Sequence, residues 1–302
     1  MMKNNCVNCI TFSLGKMLQK AQIEGYAIGA FNCRYLLMIK PVLEAAQECR
    51  SPVIVQISQR EIGWFNVDLQ KFYEEAVRCA CECGITVPFA VHLDHTRDMA
   101  VIRQAIQAGF TSVMIDASDY NLGENIQKTK EVVEYAHAKG VTVEAELGKI
   151  GSADKMETDN DQLLYTVPEE AFEFVEKTNV DALAVSIGTA HGVYPVKNPK
   201  IDFDRLRKIR EMVKIPLVLH GGTGLSEDCI HNAVNIPNGG ISKLNVATEL
   251  ELALLEAIGK KNRLTPDEIE NLSDTEIQKS RDAVKKAVKE KMVAFLKSAG
   301  KA

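Results

Sequence analysis

VTVEAEL, residues 141–147, alternates without interruption between apolar and polar positions. Successive side chains of a strand point to opposite faces, so Val141, Val143, Ala145 and Leu147 share one face and Glu144 and Glu146 the other. Turned under a covering helix, the two glutamates would be desolvated and unpaired. Directed at the open mouth of a closed barrel, they stay useful. The stretch therefore reads as a barrel strand whose acidic face points to the mouth.

Seven companion runs support that reading: YAIGAF (26–31), VIVQI (53–57), VPFAVHL (87–93), SVMID (112–116), ALAVSI (182–187), PLVLH (216–220) and ISKLNV (241–246). Between them lie helix-period segments such as LLMIKPVLEAAQECR, MAVIRQAIQAG and DFDRLRKIREMV, several ending in the glycine that closes many helices. Eight strands alternating with helices predict an α/β fold, a (β/α)8 TIM barrel. The segment 274–298, with Val284, Val288 and Phe295 at helical spacing among lysines, adds a C-terminal helical extension with a solvated basic face. A doubly wound open sheet is the alternative, but AFNCRY after the first run lacks the GxGxxG that such sheets carry there. Two stretches fall outside the alternation, 148–166 and 259–275, and the first reads as a mobile loop at the mouth.

Length and composition agree. A chain of 302 residues with 46% hydrophobic and 25% charged residues has material for one large core, and no linker divides it, so residues 1–302 read as a single domain. A net charge of -5 argues against a nucleic-acid partner, which needs clustered Lys and Arg. No stretch approaches the roughly 18 apolar residues of a membrane span, and the start lacks the apolar core of a signal peptide, so a cytoplasmic location is expected. Eight cysteines are expected to stay reduced there. Cys6 and Cys9 form an isolated CxxC with no second ligand pair nearby, and Cys79, Cys81 and Cys83 read as packing residues on a helix.

Polar residues gather where the predicted strands end. His95 follows the third run, Asp116 ends the fourth, Glu146 is near the end of the fifth, His191 follows the sixth, His220 ends the seventh and Asn245 is near the end of the eighth. In a barrel all of these open on one face, where the active site of this fold lies. Three neutral imidazoles meeting at one point match the three-histidine set of a catalytic Zn2+ with an open coordination position. His92 reads as a supporting residue, whereas His137 and His231 sit in helical contexts and are expected to do no chemistry. The turn HGGTG (220–224) and the segment NVAT (245–248) offer backbone N–H groups and a hydroxyl to an anion, as a phosphate site after the last two barrel strands requires.

HLDH (92–95), MIDAS (114–118), VEAELGKIG (143–151), IGTAHGVY (187–194), LVLHGGTG (217–224) and KLNVATE (243–249) together resemble the motif set of the class II, metal-dependent ketose-bisphosphate aldolases, which include fructose- and tagatose-bisphosphate aldolases. The resemblance runs in order from GYAIGAFN (25–32) to the C-terminus, and GTAHG and NVAT lean toward the tagatose branch. It implies zinc-dependent reversible cleavage of a ketose 1,6-bisphosphate to dihydroxyacetone phosphate and glyceraldehyde 3-phosphate. It further implies His95, His191 and His220 as zinc ligands, and Asp116 and Glu146 as acidic positions for a second or displaced metal. Asp94 corresponds to the acid/base residue, and Gly192, Gly221, Gly222, Thr223, Asn245, Val246, Ala247 and Thr248 to the pocket for dihydroxyacetone phosphate. Asn32 and Ser58 correspond to the far end of the substrate, and a monovalent cation, Na+ or K+, accompanies the phosphate. A homodimer or homotetramer is implied as well.

The sequence departs from the family pattern in two places. GSADKMETD (151–159) puts Asp154 where the family carries a proton-exchanging glutamate, with Glu157 and Asp159 as substitutes, and Asp119–Tyr120 replace a histidine and a small residue. For the second phosphate the C-terminal candidates are Gln278 and Arg281. Two rival functions stand beside the metal aldolase. A Schiff-base aldolase would need a desolvated lysine, Lys149 or Lys243, and a barrel binding metal and sugar phosphate without catalysis would need neither. An aldolase for a different phosphorylated ketose is the remaining variant.

Overall fold

All eight apolar runs form strands: β1 (Ile28–Asn32), β2 (Val53–Ser58), β3 (Phe89–Thr96), β4 (Ser112–Ile115), β5 (Thr142–Leu147), β6 (Ala182–Val185), β7 (Leu217–Leu219) and β8 (Ile241–Val246). Each pairs in parallel with its neighbour in the chain, and β8 closes on β1 through Ile28↔Lys243 and Phe31↔Val246. The barrel is closed, so no strand edge is left to cover. The computed structural model describes residues 11–149, 151–152, 164–192 and 201–302, without the side chains of residues 151, 152 and 191. Most of the loop at 148–166 therefore lies outside the described residues, as does Asp154.

Alternation sorts the side chains into two layers. Outward residues such as Val91, Leu93, Val143, Ala145, Leu217 and Leu219 pack beneath the helices in one continuous core. Inward residues Ile28, Ala30, Ile54, Ala90, Met114, Ala182, Ala184 and Val218 form a second cluster inside the barrel. Helix Leu14–Glu24 contributes Leu14, Met17, Leu18 and Ala21 to that inner cluster and so plugs the amino-terminal end. Two hydrogen bonds seat the plug: the Phe12 N–H donates to the Phe89 carbonyl at 2.8 Å and the Gly15 N–H to Thr142 Oγ1 at 3.2 Å.

With one end closed by apolar contacts, polar groups are left to the other. The strand carboxyl ends open on a cavity of about 810 Å³.

Two details refine the expectation and one differs from it. The stretch 259–275 is not wholly irregular, because Thr265 and Glu268 form a capping box that starts the short helix Pro266–Glu270. The C-terminal extension is helix Asp274–Glu290 continued by a wide turn over Lys291–Phe295. Cys33, Cys49, Cys79, Cys83 and Cys229 are free, but Cys81 is disulfide-bonded, against the expectation that it stays reduced. No helix among the described residues is long and apolar enough to cross a membrane.

Leu18 is fully buried in the plug, far along the barrel axis from the mouth. Leu18→Ala is expected to lower stability by about 2–5 kcal/mol while leaving ligand binding at the mouth unchanged. Urea unfolding against metal titration of the same variant checks both halves.

Candidate active site

β3 carries the first departure from simple alternation. Its pairing with β4 steps from Leu93↔Val113 to Thr96↔Ile115, so β3 holds one extra residue there, and His95 takes a left-handed φ of 37°. Regular alternation would point His95 away from Asp94. The bulge turns both into the mouth.

Beneath them lies a fully buried ionic group. Lys243 Nζ sits 3.0 Å from Glu144 Oε2 and 3.1 Å from Oε1, and His220 Nε2 is 3.0 Å from Glu144 Oε1, with all three side chains at 0% exposure. A carboxylate of this kind only accepts, so His220 Nε2 carries the proton and its Nδ1 turns a lone pair toward the mouth. Burial works against charge on Glu144, but Lys243 and His220 outweigh it and hold the carboxyl down to about 2. His92 donates or accepts at Ser112 Oγ, 2.8 Å away, and burial with the nearby Lys243 charge holds it neutral, down to about 3.

At the mouth, His220 Nδ1 lies 2.6 Å from His95 Nε2, and the rings meet edge to face. His95 Nδ1 is 3.3 Å from Asp116 Oδ2 and 3.7 Å from Glu146 Oε2, which is in turn 3.8 Å from His220 Nδ1. Asp94, His95 and His220 can hold one ion, and so can His95, Asp116 and Glu146. Burial favours a neutral His95, yet Asp94, Asp116 and Glu146 outweigh it and hold the imidazolium up to about 9. Burial and the neighbouring Asp116 push the Glu146 carboxyl up to about 8. Glu146 Oε2 is buried with no hydrogen-bond donor. Two imidazole nitrogens facing each other across such an oxygen fit a divalent cation well.

Asp94 is held from two sides. Asn32 Nδ2 donates to Oδ2 at 3.1 Å and Asn245 Nδ2 to Oδ1 at 3.0 Å. Burial would raise this carboxyl, but the charges of His95, Lys243 and His220 keep it far below the usual carboxylate range. Asn32 is itself fully occupied, since its second Nδ2 hydrogen goes to Glu61 at 2.9 Å and its Oδ1 accepts from Gln56 at 2.7 Å. Ser58 lines the cavity, and its hydroxyl accepts from the Glu61 N–H as the cap of helix Gln59–Phe65. Glu61 and Gln56 were missed from sequence, although a Gln on the inward phase of VIVQIS is a signal for a buried polar network.

The other end of the cavity is lined by Gly192, Gly221, Gly222, Thr223, Asn245, Ala247 and Thr248. A Cβ at Gly221, whose φ is 72°, would lie 2.3 Å from the Ala190 carbonyl oxygen, so only glycine lets the backbone before His191 approach His220 this closely. The Gly222 N–H donates to the Asn245 carbonyl at 3.2 Å and is not available to an anion, which corrects its expected use as a donor. Val246 points outward into the helix-covered core, so its side chain does not line the pocket. Helix Thr248–Ala257 begins here behind Ala247, which supplies no side-chain cap, leaving its first N–H groups toward the cavity.

The His191 backbone pairs with Ser152 in a small two-stranded ribbon, Ala190–His191 with Gly151–Ser152, and its side chain is outside the described ones. His137 pairs with Asp181 at 2.8 Å and His231 with the Ala294 carbonyl at 2.8 Å, both away from the mouth. Gln278 donates to Asp282 on its own helix, and neither it nor Arg281 lines the cavity. Neither candidate lysine is a desolvated free amine: Lys243 is paired with Glu144, and Lys149 is half exposed and 3.5 Å from Asp119.

A closed parallel barrel with imidazoles and carboxylates converging at its carboxyl-terminal mouth defines a metal-dependent barrel enzyme. The family model of class II fructose-bisphosphate aldolase matches residues 12–301, and the chain belongs to that family. It is an aldolase, a carbon–carbon lyase that depends on a metal ion. Solved structures agree. The YdjI aldolase from Escherichia coli K12 is 36% identical with a TM-score of 0.81, the match covering 97% of this chain and 100% of that one. A putative fructose-1,6-bisphosphate aldolase from Coccidioides immitis is 28% identical with a TM-score of 0.80, covering 96% and 97%. Fructose-bisphosphate aldolase from Campylobacter jejuni is 25% identical with a TM-score of 0.74, covering 97% and 98%.

Glu144→Gln removes the counter-charge of Lys243 and replaces one carboxylate oxygen by an NH2 donor, leaving His220 Nε2 a neutral and weaker acceptor. Metal affinity is expected to fall about 10–100-fold, read by competition with a chromophoric chelator on folded protein. Wild-type affinity in that variant would show that the charge of Glu144 does not tune the ligand.

Proposed function

We propose that this aldolase cleaves a ketose 1,6-bisphosphate, fructose or tagatose, reversibly to dihydroxyacetone phosphate and glyceraldehyde 3-phosphate, with Zn2+ as the resident ion. His95, His191 and His220 are its proposed ligands, with Asp116 and Glu146 beside them. The single observation that carries the reading is the Asp94 carboxylate, held at two oxygens by Asn32 and Asn245 within reach of His95 and His220.

When bound, the cation supplies Lewis-acid stabilisation of the negative charge left on the three-carbon fragment as the C3–C4 bond breaks. The chain's own residues do the rest. Asp94 takes the proton of the C4 hydroxyl during cleavage and returns it during condensation. Each Asp94 oxygen spends one acceptor site on an asparagine and keeps another for that hydroxyl. The uncapped N–H groups of helix Thr248–Ala257, with Thr223 and the Gly221 turn, hold the phosphate of the three-carbon half, and a monovalent cation accompanies it. Asp154, in the loop after β5, exchanges the proton on that fragment. The chain works as one domain over residues 1–302, as a cytoplasmic homodimer or homotetramer.

The test is cleavage of fructose and tagatose 1,6-bisphosphates side by side, with and without EDTA. Turnover that EDTA abolishes and Zn2+ restores supports the reading, and EDTA-insensitive turnover defeats it. Asp94→Ala is expected to abolish cleavage with its zinc content unchanged, measured by atomic absorption.

A pH dependence follows for the metal-stripped protein. His95 and Glu146, held up to about 9 and about 8, are protonated at neutral pH and must lose those protons when a cation binds. Apparent metal affinity is therefore expected to rise with pH up to about 9, roughly tenfold per unit for each proton displaced, the Glu146 contribution ending near 8 and that of His95 near 9. Calorimetry in buffers of different ionisation enthalpy counts the protons, and a pH-independent affinity contradicts the ligand set.

A further inference from the structure

We propose that Arg60 and Trp64 form a distal subsite that binds the phosphate-bearing end of the aldehyde half of the substrate. The inference rests on the aldol reading above and adds the group that selects a bisphosphate.

The cavity extends beyond Asp94 to helix Gln59–Phe65, where Arg60, Gly63 and Trp64 line it. Besides the His95 imidazolium, three arginines and a lysine among the described residues border this space: Arg34, Arg60, Arg97 and Lys149. Three of them are already answered by carboxylates. Arg34 is buried between Glu61, at 2.6 Å, and Glu251. Arg97 pairs with Asp119 at 2.6 Å and reaches Asp116 at 3.6 Å, and Lys149 lies 3.5 Å from Asp119. Arg60 has no carboxylate partner among the described residues, and its guanidinium lies 5.6 Å from the centre of the Trp64 ring.

Trp64 is held from behind. The Arg263 guanidinium sits 4.5 Å from the Trp64 ring centre and is tied to Glu251 by two hydrogen bonds of 2.8 and 3.0 Å. At this end of the site three guanidiniums, of Arg34, Arg60 and Arg263, meet two carboxylates, of Glu61 and Glu251. One positive charge is left over, and it is the exposed Arg60. A planar guanidinium offers two parallel N–H groups to a phosphate, and an indole that is 47% exposed offers a flat face to sugar C–H groups. Phosphate at one end of the cavity, proton transfer at Asp94 and a second phosphate at Arg60 would span a ketose bisphosphate in order.

Trp64 is the only tryptophan of the chain, so its emission reports this subsite directly. Metal-stripped wild type is titrated with glyceraldehyde 3-phosphate and with glyceraldehyde, and Arg60→Met likewise. The expected result is a saturable emission change with the phosphate ester alone, its midpoint at least about tenfold higher in Arg60→Met. Equal midpoints in the two proteins, a wild-type emission indifferent to the ester, or an equal response to glyceraldehyde overturns the subsite. Kinetics form the second arm. The ratio of kcat/KM for ketose 1,6-bisphosphate to that for ketose 1-phosphate is expected to fall at least tenfold in Arg60→Met, and an unchanged ratio overturns the subsite while the aldol reading stands. Wild type that cleaves neither sugar defeats the aldol reading, and the emission titration still decides the subsite.

Discussion

A carboxylate can be placed in the centre of a barrel only if a cation goes in with it. Glu144 and Lys243, both fully buried and 3.0 Å apart, meet that condition across the interior from β5 to β8. The consequence reaches the mouth one layer above. Because Glu144 also accepts from His220 Nε2, it selects the tautomer of that ring and aims Nδ1 upward. Were Glu144 replaced by an apolar residue, Lys243 would be left as an unpaired interior charge and His220 would lose the acceptor that fixes its tautomer. One buried ion pair thus carries both stability and the direction of a site nitrogen.

The second constraint is geometric. A strand that alternates strictly cannot direct two successive side chains to the same face. Asp94 and His95 nonetheless both serve the mouth, through one extra residue in β3 and a left-handed His95. Such a backbone costs about 1–3 kcal/mol, and the contacts of His95 with His220 and Asp116 hold it in place. β8 shows a related irregularity between Ile241 and Lys243, next to the lysine that enters the barrel. Both departures lie beside groups the site uses, where local regularity gives way to chemistry.

These two features also mark how far sequence carries the reading. Periodicity foretold every barrel strand and put Glu146 at the mouth, because strand alternation is a local property, but Glu144, expected at the mouth too, lies a layer below in a buried ion pair with Lys243. The convergence of His95, Asp116, Glu146 and His220 followed from topology alone, since all parallel strands end at one mouth. What stayed hidden depends on register between distant segments. Nothing local in HLDH announces a bulge, nothing in HGGTG shows that the Gly222 N–H is taken by Asn245, and nothing in NVAT shows Val246 facing the helices. The Gln56–Asn32–Glu61 chain behind Asp94 is hidden for the same reason, as it joins two strands and a helix.

The charge balance at the mouth shows how protons can offset a cluster this acidic. Asp94, Asp116 and Glu146 face one another around two imidazoles in a space that water reaches poorly. Three full negative charges there would repel, and burial would make the repulsion severe. The proton on His95, held up to about 9, and the proton on Glu146, held up to about 8, relieve it at neutral pH. Two protons carry the same total charge as one divalent cation. Exchange of one for the other leaves the net charge of the mouth unchanged, so loading the ion asks for little rearrangement of the Asn32–Asp94–Asn245 frame around it. The Lys243–Glu144 pair beneath is neutral as a unit and takes no part in that exchange, which lets it remain rigid while the layer above titrates.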